Sequence, residues 1–451
     1  MKYIYNFQDK DRNVTWFTLM TMATFLVLGA TSCDKLLDVT DPDIVTFESL
    51  NSEAGVETLR NGSLGDLAVA ISGSSAGHGA TAGLFAMSGL MTDEYEYTGT
   101  FPTRREGDTR ILQNTNGTME VIFGNLHRAR AAAEATVDLA RNFGGVPEIE
   151  SEMQSITGFV YVILAETFCG SVPFSKLSQD GVITFGMPQS GDEMFDAAIV
   201  WFDDAIESAI TASNSDLENF ARVGKARALL GLGQISAAAS VVSSVPDDFV
   251  YNVEHSENSR RQENGIYTMT TTRRQYSIAD GKGGNGLMFR SAMDPRTPWD
   301  GGTDNGQNDK DLYYNQLKYT SPNASVRLAS GLEARLIEAE AAAQAGTNAT
   351  VASIHDALRA TEGLPPVDLT GMTTSQLVDY HFSERAFWLF SSGHRHGDLR
   401  RLIRVYNRNV EDVFPWGTSL QGVEYASTVA FLVPQSEANN PNYQECDGKT
   451  P

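Results

Sequence analysis

The sequence predicts a mainly α protein: a single large domain of degenerate tetratricopeptide-like helical hairpins with long irregular loop insertions. Three observations predict it. Apolar residues recur at three- and four-residue spacing over many stretches, the period of an amphipathic helix. Those stretches fall in pairs, joined by short turns that Gly or Pro marks. Two long segments, 90–120 and 250–325, have no helical period and interrupt the pairs.

The first pair covers 115–142 and 152–169, from Val121-Ile122-Phe123 to Val160-Tyr161-Val162-Ile163-Leu164. The second covers 191–213 and 221–244 and is closed by Pro246. Within it, Ala226 to Leu232, then Gly233, then Ala237-Ala238-Ala239 is similar to a tetratricopeptide turn, with Gly at the tight bend and Ala where helices approach closely. In the third pair Leu328, Leu332, Leu336, Ala339 and Ala343 form one stripe, Glu333, Glu338 and Glu340 fall off it, and Gly346 ends the helix. Its partner runs through Val351, Ile354 and Leu358 to the stop Gly363-Leu364-Pro365-Pro366. Residues 372–392 supply one more long helix. The spacing between pairs is irregular, so the array is degenerate rather than a clean solenoid.

At 41% hydrophobic and 20% charged residues, the chain has the make-up of a globular protein with a substantial core. Its net charge of −23 argues against nucleic acid as a partner, since phosphate neutralisation needs clustered Lys and Arg. The same charge disfavours adsorption to anionic lipid but not a covalent lipid anchor. The N-terminus points to such an anchor. No charge occurs from Asn13 to Ser32, the stretch is apolar, and Gly29-Ala30-Thr31-Ser32 run directly into Cys33. Residues 1–32 therefore read as a lipoprotein signal peptide, Cys33 as the lipidated first residue of the mature chain, and 33–50 as a tether broken by Pro42 and several Asp. The competing reading is an uncleaved membrane helix, which needs about 20 apolar residues; the Thr-rich stretch ending at a cysteine favours cleavage. The two other cysteines, Cys169 and Cys446, are too few for a disulfide scaffold and too far apart for a zinc motif. An oxidising compartment would let them pair, while the apolar helical setting of Cys169 suits a plain core residue.

Three motifs suggest chemistry, and each has a plainer explanation. His394-Arg395-His396-Gly397-Asp398 fits the H-x-H-x-D of some metal hydrolases, but Leu399 follows and the other histidines are scattered. Gly73-Ser74-Ser75-Ala76-Gly77 fits G-x-S-x-G after a possible strand at Leu67–Ile71, yet the chain lacks the alternating strands and helices a nucleophile elbow requires. The acidic run Asp300 to Asp311 offers hard oxygen ligands without the spacing of a calcium loop, and reads as a solvated turn. No catalytic residue, metal or cofactor is assigned. The aromatics of the two unpatterned segments carry more weight, because sugars stack C–H faces on rings and present hydroxyls to Asn, Asp and Arg. Tyr95, Tyr97 and Phe101 with Arg104 and Arg105 in the first segment, and Trp299, Tyr313 and Tyr314 in the second, are the candidate ligand-binding set.

Ordered short matches along nearly the whole chain resemble the SusD/RagB family. They begin with Cys33-Asp34-Lys35-Leu36-Leu37-Asp38 and Pro42, followed by Met91-Thr92-Asp93-Glu94 and the helix closed by Gly170-Ser171-Val172-Pro173. Asp294-Pro295-Arg296, Lys318-Tyr319-Thr320, Arg327-Leu328-Ala329 and Ala339-Glu340-Ala341 continue the order. Glu384-Arg385, Gly393-His394-Arg395 and Asp398-Leu399-Arg400-Arg401 are the most recognisable stretch, and Leu432-Val433-Pro434-Gln435-Ser436-Glu437 with Asn440-Pro441-Asn442 ends it. Two departures, Ser391-Ser392 where the family usually carries a glutamate and His396-Gly397 where it usually carries an aromatic, suggest a divergent branch.

The resemblance implies a tetratricopeptide-type lid on a SusC-like TonB-dependent transporter, anchored by lipid at the outer membrane and exposed at the surface. It also implies a glycan or peptide ligand, contacts from the two loop segments, and a structural, ion-paired role for Glu384, Arg385, His394, Arg395, Asp398 and Arg400. Residues 51–451 would be the ligand-binding domain. The competing classes are a helical-repeat interaction lipoprotein without a small ligand and, more remotely, a hydrolase.

Overall fold

The computed structural model describes residues 52–77, 80–177 and 182–451. The expected signal peptide (1–32), Cys33 and the tether (33–50) lie outside the described residues. The helices are α1 (Glu53–Ser72), α2 (Leu84–Met91), α3 (Pro102–Thr109), α4 (Gly117–Asn142), α5 (Pro147–Thr167), α6 (Gly191–Ala212) and α7 (Ser215–Gly231). They continue with α8 (Ile235–Val242), the short α9 (Gly265–Tyr267), α10 (Gly331–Gln344), α11 (Asn348–Thr361), α12 (Thr374–Trp388), α13 (Arg395–Arg404) and α14 (Val410–Val413).

Polar side chains fix the helix starts. Asn116 and Asn214 each accept from two amides of α4 and α7, and Ser190–Glu193 and Thr373–Gln376 form reciprocal capping boxes on α6 and α12. Each such cap stabilises its helix by about 1 kcal/mol. The helices then pack on their neighbours in sequence: α1 on α4, α4 on α5, α5 on α6, α6 on α7, α7 on α8, α8 on α10, and α10 on α11 and α12. This is the expected mainly α array of hairpins.

Small residues let the helices close. The Phe202 ring of α6 lies between Gly158 of α5 and Gly224 of α7; a Cβ on Gly224 would sit 2.2 Å from it. Phe159 crosses Phe202 edge-on at 5.2 Å and stacks on Phe220 at 4.8 Å.

Several expected boundaries shift for identifiable reasons. Residues 221–244 are two helices, because Gly233 takes φ +73° and turns the chain between α7 and α8. Leu328 is not helical: Val326–Ser330 is a strand, and α10 starts only where the Ser330 side chain caps the Glu333 amide. Leu67–Ile71 belongs to helix α1, so the G-x-S-x-G stretch follows a helix and has no strand leading into it.

The two unpatterned segments are folded. Besides α3 and α9 they hold five strands, β1 (Tyr95–Tyr97), β2 (Val250–Val253), β3 (Tyr276–Ile278), β4 (Trp299–Asn305) and β5 (Leu312–Gln316), and β6 (Val326–Ser330) follows directly after the second. They pair antiparallel as β1–β3, β2–β6 and β4–β5. The acidic run 300–311, read as a solvated turn, is thus half strand β4 and half hairpin tip; at the tip Asn308 accepts from the Lys310 and Asp311 amides.

One large apolar core runs under α1 to α10, and a smaller one lies among Val351, Leu377, Phe382, Leu402 and Phe414. Between them is a layer of buried Arg–carboxylate pairs. Arg385 grips Asp398 (3.0 and 3.1 Å), Arg401 grips Glu340 (2.7 and 2.9 Å) and Arg395 grips Asp93 (2.7 and 2.8 Å). Arg227 holds Glu166 at 2.8 Å through Nε, and Arg400 donates to the Ala165 and Phe168 carbonyls. Burial alone would raise Asp398, but Arg385 and Arg401 outweigh it and hold the carboxyl well below its ordinary range. Removing either partner of such a pair costs about 3–5 kcal/mol. Cys169, at the end of α5, is disulfide-bonded to Cys446, so it is a buried core residue and a cross-link at once.

Candidate functional site

Strand β1 alternates. Tyr95 and Tyr97 face inward and Glu96 faces the other side, opposite Ser277 of β3. The Tyr314 amide of β5 donates to the Ser277 hydroxyl at 2.9 Å, which lays the β4–β5 hairpin across the β1–β3 ladder. At the hairpin tip the Asn308 amide donates to the Thr98 carbonyl at 2.9 Å. The two loop segments therefore meet in one layer.

Eight residues were expected to bind ligand, and the layer divides them. Tyr95 is fully buried: its hydroxyl donates to Ser391 Oγ at 2.7 Å and its ring tilts against Phe390. Tyr97, 1% exposed, accepts from the Phe101 amide at 2.8 Å. Tyr313 is buried and donates to the Thr270 carbonyl at 2.6 Å. Arg104 is buried under Phe101, 4.4 Å from its ring centroid, and donates to the Ala80 carbonyl and to Gln275. These four are packing residues, because strand alternation and the approach of α3 turn them inward. Phe101 is half-buried and Arg105 is exposed.

Trp299 and Tyr314 remain, both half-buried, crossing edge to face with centroids 5.7 Å apart. The Trp299 indole donates to the Arg290 carbonyl at 3.2 Å, and the Arg290 guanidinium stands 3.6 Å from the Tyr314 centroid. Gly302, at φ +84°, makes room for the Tyr314 ring; a Cβ there would lie 2.7 Å from Cε1. Asp280 accepts from the Arg290 and Ser291 amides at 3.0 and 2.9 Å. Glu96 completes the group: burial, then Asp108, pushes it up to about 7, with Lys282 and Arg290 partly opposing. The arrangement offers aromatic C–H surface beside a cation and two carboxyl groups, suited to a ligand with apolar faces and hydroxyl edges.

Arg290, Asp280 and Glu96 were not singled out from the sequence. The one signal for Glu96 was its place between two alternating tyrosines. The histidines have separate partners. His394 Nε2 lies 3.0 Å from Glu333, whereas His396 Nε2 lies 2.7 Å from the Val429 carbonyl. Among the described residues no group of His, Cys, Asp and Glu is placed to hold a metal ion, and no helix is long and apolar enough to cross a membrane.

By sequence, no family model and no curated protein matches the chain. By structure it is similar to a SusD superfamily protein from Parabacteroides distasonis, with TM-score 0.66 and 13% identity over 88% of this chain and 99% of the other. A surface glycan-binding protein A from Bacteroides uniformis gives TM-score 0.63 and 13% identity over 87% and 99%. A laminarin-binding SusD-like protein gives 0.56 and 14% over 88% and 99%. At such identity the likeness is one of architecture, and it extends from end to end of those proteins: this chain has the SusD/RagB fold.

Proposed function

We propose that the chain is a surface nutrient-binding lipoprotein that captures an oligosaccharide and delivers it to a SusC-like TonB-dependent transporter of the outer membrane. In this reading residues 1–32 are removed, Cys33 carries the lipid, 33–50 is the tether, and 51–451 is the binding domain. The chain is a binder rather than a catalyst. The observation that carries the reading is the half-buried Trp299–Tyr314 pair with Arg290 against it, displayed on the β4–β5 hairpin while most aromatics of the helices are buried. The similarity in fold to a surface glycan-binding protein and a laminarin-binding protein supports sugar as the ligand class. Screening the chain against oligosaccharide and peptide panels tests it: binding of at least one oligosaccharide is expected. A chain that binds only peptides, or neither class, would refute it.

A further inference from the structure

A groove of about 710 Å³ lies between the α10–α11 hairpin, the β2–β6 ladder and residues 295–298. Pro298 lines it and its chain neighbour Trp299 belongs to the aromatic pair, so groove and pair share one segment. Leu332, Ile354, Leu358 and the half-buried Trp388 give it apolar walls.

Its charges are distributed unevenly. Arg335 is shared between Glu338 (3.2 Å) and Asp247 (3.5 Å), and Arg296 is bound by Asp294 and Glu384 at 2.7 and 2.6 Å. Two cations have no such match. Arg327 is paired with Asn252 through the ladder, but its side chain, exposed on β6, makes no hydrogen bond or ion pair among the described residues. Lys318 donates only to the Phe390 carbonyl. Burial, then Arg327 beside it, pushes Lys318 down to about 7, and the carboxyl acting on it, Glu94, is itself raised by burial to about 8. The Trp388 indole N–H is buried without an acceptor. Lys318, Arg327 and Trp388 also line a small recess beside the groove, together with Ser330, Ser392 and the paired Glu333 and His394, so the three donors converge next to a carboxylate that His394 already holds at 3.0 Å. A buried N–H left without an acceptor is costly, and a carboxylate is a group that can accept from it and pair with the cations beside it. The chain as a whole, at −23, repels anions, so attraction here would be local rather than long-range.

We infer that this groove is a carboxylate-binding subsite for an acidic oligosaccharide, with a uronate carboxylate held by Arg327 and Lys318 and its sugar ring against Trp388. The inference rests on the glycan-binding reading and names the class of sugar.

The test is calorimetric titration of the full chain, in detergent, with tetramers of galacturonic, glucuronic and mannuronic acid and with their methyl esters, which keep the rings and remove the charge. At least one acid should bind roughly tenfold or more tighter than its ester. Arg327→Gln should erase that preference and not change the melting temperature, since the side chain is exposed. Trp388→Ala should weaken acid and ester alike. Equal affinity for acid and ester, or a preference that survives Arg327→Gln, overturns the inference, as does failure to bind any acid while a neutral oligosaccharide binds. Binding of an acidic tetrapeptide that depends on Arg327, with no uronate bound, overturns the sugar class. Loss of every oligosaccharide, neutral ones included, strikes instead at the glycan-binding reading itself.

Discussion

Tyr97 and Trp299 are both large aromatics in loop segments, yet burial gives them opposite duties. Tyr97 is 1% exposed and holds the start of α3, whereas Trp299 is half-buried beside Tyr314. Truncating Trp299 and Tyr314 together to Ala should weaken oligosaccharide binding by roughly ten- to thirtyfold, taking about 1 kcal/mol for each lost contact. The melting temperature should change little, because neither ring is a core residue. Titration alongside a thermal melt checks both; unaltered affinity would remove the pair from the site. Choosing among the aromatics was beyond the sequence. Tyr95-Glu96-Tyr97 carries an alternation that was legible in principle, but which face met the core depended on β3, about 180 residues away. Arg290 is a similar case: its importance comes from a ring contact across the hairpin, not from its neighbours in sequence.

Helices were the most legible elements, because their period is local and every pair leaves a stripe. Their ends were less so. Ser330 is a cap rather than an interior residue, since Val326, Arg327 and Ala329 are drawn into pairing with β2, a partner more than 70 residues distant. Glycines in helices separate two cases. At Gly224 a Cβ would meet Phe202 and Phe159 at 2.2 and 3.0 Å, so Gly224→Ala should destabilise the chain by about 1–3 kcal/mol through overpacking. At Gly62, also inside a helix, nothing among the described residues lies within 4 Å of an added Cβ, and Ala should stabilise by up to about 1 kcal/mol. Urea midpoints of the two variants should move in opposite directions; a shared direction would mean that close approach is not the reason for Gly224.

For the whole molecule, buried ionisable groups set the response to acid. Burial lowers His127 and His396 to about 3 and His355 to about 2, whereas in the unfolded chain they titrate near about 6.5. The folded chain therefore binds fewer protons, so this stability is complete above about pH 6.5 and is lost as pH falls. Glu340, held at about 2 because Arg401 and His381 outweigh its burial, and Asp398, lower still, add a loss below the ordinary carboxylate range. Glu94 and Glu96 oppose this: raised to about 8 and 7, mainly by burial, their share is present at low pH and fades as pH rises through those values. The urea midpoint should therefore fall gently from pH 6.5 to 4.5 and steeply below, where the share of Glu94 and Glu96 is already complete and its growth no longer offsets the loss. A midpoint unchanged between pH 4.5 and 3 would contradict the assignment. The mainly α class and the order of hairpins were readable from period and turns; the ion-paired role of Arg385, Arg395 and Asp398 came only from the family resemblance, and their partners were not readable, since the pairs join residues as far apart as Asp93 and Arg395.

The bond between Cys169 and Cys446 spans 277 positions and makes that length of chain a covalent ring. The aromatic pair, the groove and the Arg–carboxylate layer around α13 all have residues inside it. A protease that cuts once in any exposed loop of the ring opens it without releasing a piece: both halves stay joined through sulfur, and the helices on either side keep their packing partners. A nick would then be damage the fold can survive until the sulfurs are reduced.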